Sequence, residues 1–257
     1  ASFVKEVTLF TYGNGKIIKN LLGNIKNIKV INLAKNHKIQ CKTRFINSNR
    51  GEKLIQSTNF KKNFFSKKDI QKLISKLMKN NLKNLLVCDF GNGLFEGKFL
   101  NLINKLKIKK YLNVQTNSIN LGFNLFTKYK NYSYLCLDTR EWELALKKNS
   151  FSKADVKKYV PKKGHISITM GKNGAKIVDS KLKEFYCPTF IKHVKDTTGS
   201  GDAFHIITSI MLLAGIKPDL AVFCGNLYAG MHGQNLGNLE IIDKKEFFQN
   251  INSILNF

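Results

Sequence analysis

The side chains best suited to chemistry lie in one stretch, Lys195 to Gly215, which reads KDTTGSGDAFHIITSIMLLAG. Asp196 to Gly201 is small, polar and glycine-bearing, and from Ala203 onward the chain is mostly apolar until Gly215. A loop of this kind opening a long helix leaves backbone N–H groups unpaired at the positive end of the helix dipole, which is a ready anion site. Gly199 and Gly201 let a ligand approach the backbone with no Cβ in the way. Asp202 is out of place beside an anion, because a carboxylate repels phosphate. Its presence is explained if it is a general base, taking the proton of a hydroxyl that attacks a phosphoryl group held by the N–H groups of Gly199, Ser200 and Gly201. The bland alternative is a helix start with Asp202 as N-cap and the threonines in a turn.

The elements that must position this loop alternate along the chain. Glu6 to Tyr12 reads as a strand, Lys16 to Ile25 as a short helix and Lys29 to Leu33 as a second β-like run. Lys38 to Asn47 is a strand with Gly51 to Phe60 as its partner. Ser66 to Lys79 is an amphipathic helix closed by a Ser66–Asp69 capping box. Asn84 to Phe90 is a buried strand, Gly97 to Ile108 a helix and Tyr111 to Thr116 a strand, followed by an Asn-rich loop from Asn117 to Asn124. Tyr132 to Asp138 is a strand and Thr139 to Lys148 a helix. Ser152 to Tyr159 is a further capped helix. His165 to Met170 is a strand whose Gly171–Gly174 turn leads into Ala175 to Asp179. Lys217 to Gly233 and Asp243 to Ile254 close the chain as helices. Such alternation implies a largely parallel sheet covered on both faces. Open sheets of this class hold ligands outside the carboxyl ends of their strands, where Asp89 and the loop from Asn117 fall. Asp89-Phe90-Gly91 imitates the DFG of protein kinases, but no Gly-rich loop, V-A-I-K strand or H-R-D loop accompanies it. Asp138-Thr139-Arg140-Glu141 reads as a capping box.

DTTGSGDAF (196–204) resembles the signature D-T-x-G-A-G-D of the ribokinase-like (PfkB) carbohydrate kinases. Ser200 stands where Ala is usual, and His205 where an aromatic or small residue is common. Thr169-x-Gly171-x-x-Gly174-Ala175 is similar to the nucleotide-binding T-x-G-x-x-G-A that precedes the signature in that family. The resemblance implies a ribokinase-like three-layer α/β/α sandwich with a mostly parallel central sheet, the strands from Lys38 to Phe60 forming a small β lid. It implies ATP and Mg²⁺ as cofactors, a sugar or sugar phosphate as substrate, and Asp202 as the base. Asp138 and Glu141 fall on the family's N-x-x-E motif, with Asp for Asn, which implies that Glu141 supports Mg²⁺ indirectly through water. Asn226 is implied beside the adenine, with a small-residue helix contact as the alternative. Lys42-Thr43-Arg44 resembles the K-T-R of the heptose 7-phosphate kinases, so Lys42 and Arg44 either grip a substrate phosphate or are basic residues on an exposed strand. Asp89 and Asn117 are implied as substrate contacts, with a structural turn as the alternative at Asp89.

In that family a strand, a substrate-binding Asp and a Gly-Gly turn into a helix come first. The chain starts on a segment similar to the end of that helix. The expectation is therefore one carbohydrate kinase domain, 1–257, lacking its N-terminal strand and Gly-Gly substrate turn. The resemblance also admits a homodimer and a fused or partner nucleotidyltransferase domain.

Composition bounds the alternatives. With 257 residues and 43% hydrophobic content the chain builds one α/β domain with a sizeable core. No apolar run reaches the roughly 18 residues of a membrane span, so no membrane partner is expected. Five scattered cysteines without a C-x-x-C pair read as reduced thiols of a cytoplasmic protein, several of them in apolar runs. The net charge of +26 is the figure that would suit a nucleic-acid binder. Its lysines are spread evenly with Asn and Ile, as an AT-rich coding bias would spread them, and that explanation ranks ahead of a nucleic-acid partner. The rival readings are a catalytically inactive kinase-like fragment or binding domain, and then the basic nucleic-acid binder.

Overall fold

A computed structural model describes residues 1–23, 25–33, 41–47, 53–59, 65–80, 82–117, 120–191, 193–236 and 241–256. Residues 38–40 and 51, 52 and 60 of the expected strand pair, Asn24 of the expected first helix and residues 118–119 of the Asn-rich loop lie outside the described residues. The chain divides into two units, Ala1–Leu82 with Asn92–Leu106, and Lys83–Gly91 with Lys107–Phe257.

In the first unit β1 (Val7–Thr11) pairs in parallel with β2 (Ile28–Asn32), joined by helix α1 (Gly15–Leu22). The Asn14 side chain accepts the Lys16 N–H at 2.9 Å and starts α1, which stops at Gly23 rather than continuing to Ile25. Strands β3 (Cys41–Ile46) and β4 (Lys53–Asn59) form an antiparallel pair that sets Lys42 opposite Thr58 and Arg44 opposite Gln56. Helix α2 (Lys67–Lys79) begins on the expected Ser66–Asp69 capping box and buries Leu73 and Leu77. Helix α3 (Gly97–Lys105) packs near it and buries Phe99 and Ile103.

The second unit carries a six-stranded sheet in the order β10-β9-β8-β7-β6-β5. Its strands are β5 (Asn84–Asp89), β6 (Lys109–Val114), β7 (Tyr134–Asp138), β8 (His165–Thr169), β9 (Ala175–Asp179) and β10 (Glu184–Cys187). β5 to β8 are parallel, and β9 is antiparallel to both neighbours, so every strand but β9 runs the same way. This is the mostly parallel sheet expected, with helices on both sides. Strands buried on both faces read as apolar runs, as β7 does with Tyr134 to Leu137 all buried. The helices are α4 (Thr139–Leu146), α5 (Lys153–Lys157), α6 (Ser200–Leu213), α7 (Pro218–Gly233) and α8 (Lys244–Leu255). Helix α6 lies against β5, β6 and β7, and α7 against β9 and β10.

Trp142 on α4 is fully buried and meets Phe126 with ring centroids 4.8 Å apart and Tyr159 at 5.9 Å. Burial of such a ring stabilises by about 2–3 kcal/mol, and the contact holds α4 in place so that its first turn stays at the end of β7.

Two details differ from or decide between the sequence readings. Helix α6 begins at Ser200, where Gly199 takes a left-handed φ of 83° and serves as its N-cap. Asp202 is therefore inside the first turn, which removes the N-cap reading of that residue. Strand β10 was not expected: its four residues, EFYC, are too few to show a period. All five cysteines are unpaired, with Cys136, Cys187 and Cys224 buried and Cys41 exposed. No helix among the described residues is long and apolar enough to cross a membrane.

Candidate active site

The candidate residues of the second unit gather at the carboxyl ends of its parallel strands. Asp138, last in β7, is the register partner of Thr169, last in β8, so the two sequence motifs start side by side. Strand β6 runs out into Gln115 and Thr116, and both address carboxylates. The Gln115 Nε2 donates to Asp202 Oδ1 at 2.6 Å, and the Thr116 N–H donates to Glu141 Oε1 at 3.1 Å. Both anchors sit on held backbone: the Gln115 N–H donates to Asp89 O at 2.8 Å, and Gln115 O accepts from Asn124 Nδ2 at 3.0 Å.

The capping box at the start of α4 forms as expected. Glu141 N–H donates to Asp138 Oδ1 at 2.7 Å, and Asp138 N–H donates to Glu141 Oε2 at 2.9 Å. Glu141 is only 9% exposed, and burial with the neighbouring Asp138 charge pushes its carboxyl up to about 8, against the pull of the two N–H donors. The charge of Asp202 acts on Glu141 in the same upward sense, which places the two acids within electrostatic reach. Among the described residues no group of three or more His, Cys, Asp or Glu side chains is placed to hold a metal ion directly.

The loop before α6 is built by Asp196, 6% exposed, whose Oδ1 accepts the Thr198 N–H at 2.9 Å and the Thr198 hydroxyl at 2.8 Å. It is tied to the end of α7: the N–H groups of Lys195 and Asp196 donate to Gly233 O at 2.8 and 3.1 Å, and His232 Nε2 donates to Thr198 O at 3.0 Å. The Ser200 N–H donates to Thr197 O at 3.2 Å, so it is engaged within the turn. Among the described residues of the loop, the N–H groups of Thr197, Gly199 and Gly201 have no protein partner. A Cβ built on Gly201 would meet nothing within 4 Å, so the helix start faces open space, with the half-buried Asp202 next along the chain.

Thr169 leads into a short 3-10 turn, Gly171–Asn173, and then Gly174. Gly174 has φ 81°, and a Cβ there would lie 2.1 Å from Cys187 O, so only glycine fits. Asn226 Nδ2 donates to the carbonyls of Pro188 and Cys187, and so holds the chain that leaves β10.

Asp89 is 2% exposed, and its carboxylate accepts from Tyr129 OH at 2.8 Å and the Gly91 N–H at 2.9 Å and pairs with Lys128 Nζ at 2.6 Å. A carboxylate surrounded in this way anchors the structure around it, as the structural-turn alternative has it. The Asn117 N–H donates to Asn120 Oδ1 at 2.8 Å and its Nδ2 to Phe90 O at 3.2 Å, so it shapes the same loop. Lys42 and Arg44 belong to the first unit. Lys42 is exposed, and the Arg44 Nε is buried without a hydrogen-bond partner. Gln115, Thr116, Asp196 and His232 were missed in the sequence. The carboxyl-end rule marks Gln115 and Thr116, which directly follow β6, but nothing local marks His232.

Residues 126–237 match the family model described as pfkB family carbohydrate kinase. Comparison with curated proteins finds no match. Among solved structures, phosphofructokinase-2 from Escherichia coli, in complex with substrates and products, superposes with a TM-score of 0.75 at 15% identity, covering 98% of this chain and 83% of that one. A Burkholderia thailandensis nucleoside kinase in complex with inosine gives 0.70 at 13% identity over 98% and 82% of the two chains. Ribokinase from Thermotoga maritima gives 0.67 at 17% identity over 94% and 79%. Residues 126–237, which span both motifs and the start of α6, are thus similar to the pfkB family carbohydrate kinases, and the fold is ribokinase-like.

Proposed function

We propose that the chain transfers the γ-phosphoryl group of ATP to a hydroxyl of a sugar or sugar phosphate, and that a heptose 7-phosphate is its substrate class. The observation that carries the first part is the start of α6: two N–H donors without a protein partner, open space at Gly201 and a carboxylate one residue on. Asp202 takes the hydroxyl proton as the new O–P bond forms at the γ-phosphorus and the bond to the β-phosphate oxygen breaks, releasing ADP. The Gly199 and Gly201 N–H groups and the helix dipole offset charge on the transferring group. The nucleotide lies along Thr169, Gly171 and Gly174. Glu141 and Asp138 are the acids that would hold Mg²⁺ through water, and the ion bound with ATP would offset phosphate charge. The heptose assignment rests on the Lys42-Thr43-Arg44 resemblance and on the unpartnered Arg44 Nε, a donor suited to a phosphate oxygen.

The test is ADP release from Mg-ATP with heptose 7-phosphate, fructose 6-phosphate and ribose, for the chain and for Asp202→Asn. The reading expects release that depends on a sugar, greatest with heptose 7-phosphate, and a kcat about two to four decades lower in the variant with ATP affinity retained. Full turnover by Asp202→Asn would overturn the base assignment, and preference for another sugar the heptose assignment.

A further inference from the structure

Gln115 is half-buried, and its side-chain amide donates to Asp202 Oδ1 at 2.6 Å, a short N–H···O bond. The two residues are far apart in sequence and belong to different layers, one at the end of a strand and one in the first turn of a helix. The strand end is rigid. Its N–H extends the β5–β6 ladder to Asp89 O, and its carbonyl is held by Asn124, which is buried. The next residue, Thr116, uses its backbone to fix Glu141 in the same way. A carboxylate on the first turn of a helix has several rotamers of similar energy, and a base must keep one of them within reach of its proton. An amide donor from a fixed strand end selects one rotamer and one oxygen. Gln115 is uncharged, so it does this without adding a cation that would compete for a phosphate.

We infer that Gln115 is the positioning residue of the catalytic base: it holds Asp202 by Oδ1 in a single orientation and favours its ionised form. The inference rests on the reading of Asp202 as the base. A donor to the charged form lowers a carboxyl pKa, so loss of the donor moves the Asp202 titration to higher pH.

The experiment uses the full chain with Gln115→Met, which keeps the length and apolar stem and removes the donor, and Gln115→Asn, which keeps the amide but shortens the reach. Asp202→Asn is measured alongside, with Mg-ATP and the sugar that gives the greatest ADP release. Folding is checked by thermal unfolding. Gln115→Met is expected to lose about tenfold in kcat with little change in KM for ATP, and the acid limb of its kcat–pH profile to move up by about one unit. A carbon-13 NMR titration of the Asp202 carboxyl in Gln115→Met without substrates reads the same upward shift independently of turnover. Gln115→Asn is expected to lie between wild type and Gln115→Met. If Asp202→Asn abolishes turnover while a folded Gln115→Met keeps the wild-type kcat and pH profile, the positioning role is overturned and the base assignment stands. If Asp202→Asn turns over normally, the base assignment itself falls. Should Gln115→Met not fold, Gln115→Asn decides: an unshifted carboxyl titration with full kcat overturns the inference.

Discussion

The Thr116 N–H reaches Glu141 Oε1 at 3.1 Å, so the chain leaving β6 is tied to the helix that follows β7. The other Glu141 oxygen accepts the Asp138 N–H. One buried carboxylate therefore staples two neighbouring strand ends, and the site inherits its rigidity from that staple. The same carboxylate resists ionisation, because it lies away from water and near Asp138.

This gives a pH prediction with a definite sign. The Glu141 carboxyl is pushed from its ordinary 4.5 up to about 8 in the folded protein. Between these values the folded state holds a proton that the unfolded state has lost, so the contribution of Glu141 to stability is fully present below 4.5 and is lost as pH rises toward about 8. Glu141→Gln removes this slope, at the cost of one N–H acceptor at every pH. Urea unfolding of the unliganded chain across this window should show wild type losing on the order of a few kcal/mol more than the variant. Parallel profiles would show that Glu141 is ionised throughout.

His205 should act on the acid side. It is fully buried, stacks on Tyr134 with centroids 5.8 Å apart, and has no hydrogen-bond partner at either ring nitrogen. Burial lowers its pKa from 6.5 to about 3. As pH falls from 6.5 toward about 3 the unfolded state gains a proton that the folded state refuses, and stability is lost. His205→Phe should flatten that loss and leave stability at neutral pH unchanged or higher, since an unpaired buried polar ring is replaced by an apolar one. A drop of about 2 kcal/mol or more at neutral pH would point instead to a buried partner for the ring.

Gly201→Ala separates structure from catalysis. The added methyl meets no protein atom, and alanine is the better helix former by about 1 kcal/mol, so thermal stability should hold or rise. The methyl would occupy the space assigned to the transferring phosphoryl group, and kcat should fall by about tenfold or more. An unchanged kcat would place the phosphoryl group elsewhere.

Asp89→Asn separates the structural role of that residue from a substrate role. It leaves Lys128 facing a neutral partner in a buried network with Tyr129. The expected cost is about 3 kcal/mol of stability, read by urea unfolding. KM for the sugar, measured at low temperature where the variant is folded, should stay within about twofold of wild type. A large KM effect in a stably folded variant would place Asp89 in the substrate site.

Much of the architecture was legible in local sequence because it has local causes. The Ser66–Asp69 and Asp138–Glu141 boxes are satisfied within one turn of chain, and both form as read. The apolar runs of β5 to β8 report burial on both faces, and the glycine-bearing start of α6 reports a backbone conformation that few other residues adopt. The resemblance of two sequence motifs to those of one family also brought Thr169, Gly174 and Asp202 into one proposal. What only the tertiary structure decided is which polar groups remain available. Ser200, Asn226 and Asp89 have suitable chemistry, but their donors or oxygens are engaged by Thr197, Pro188 and Tyr129. Gln115 is an ordinary polar residue in the string until β6 and α6 bring it to Asp202. A hydrogen bond depends on distance and direction between groups that the chain can place anywhere, so its partners are set by the packing of the layers and not by the spacing of residues.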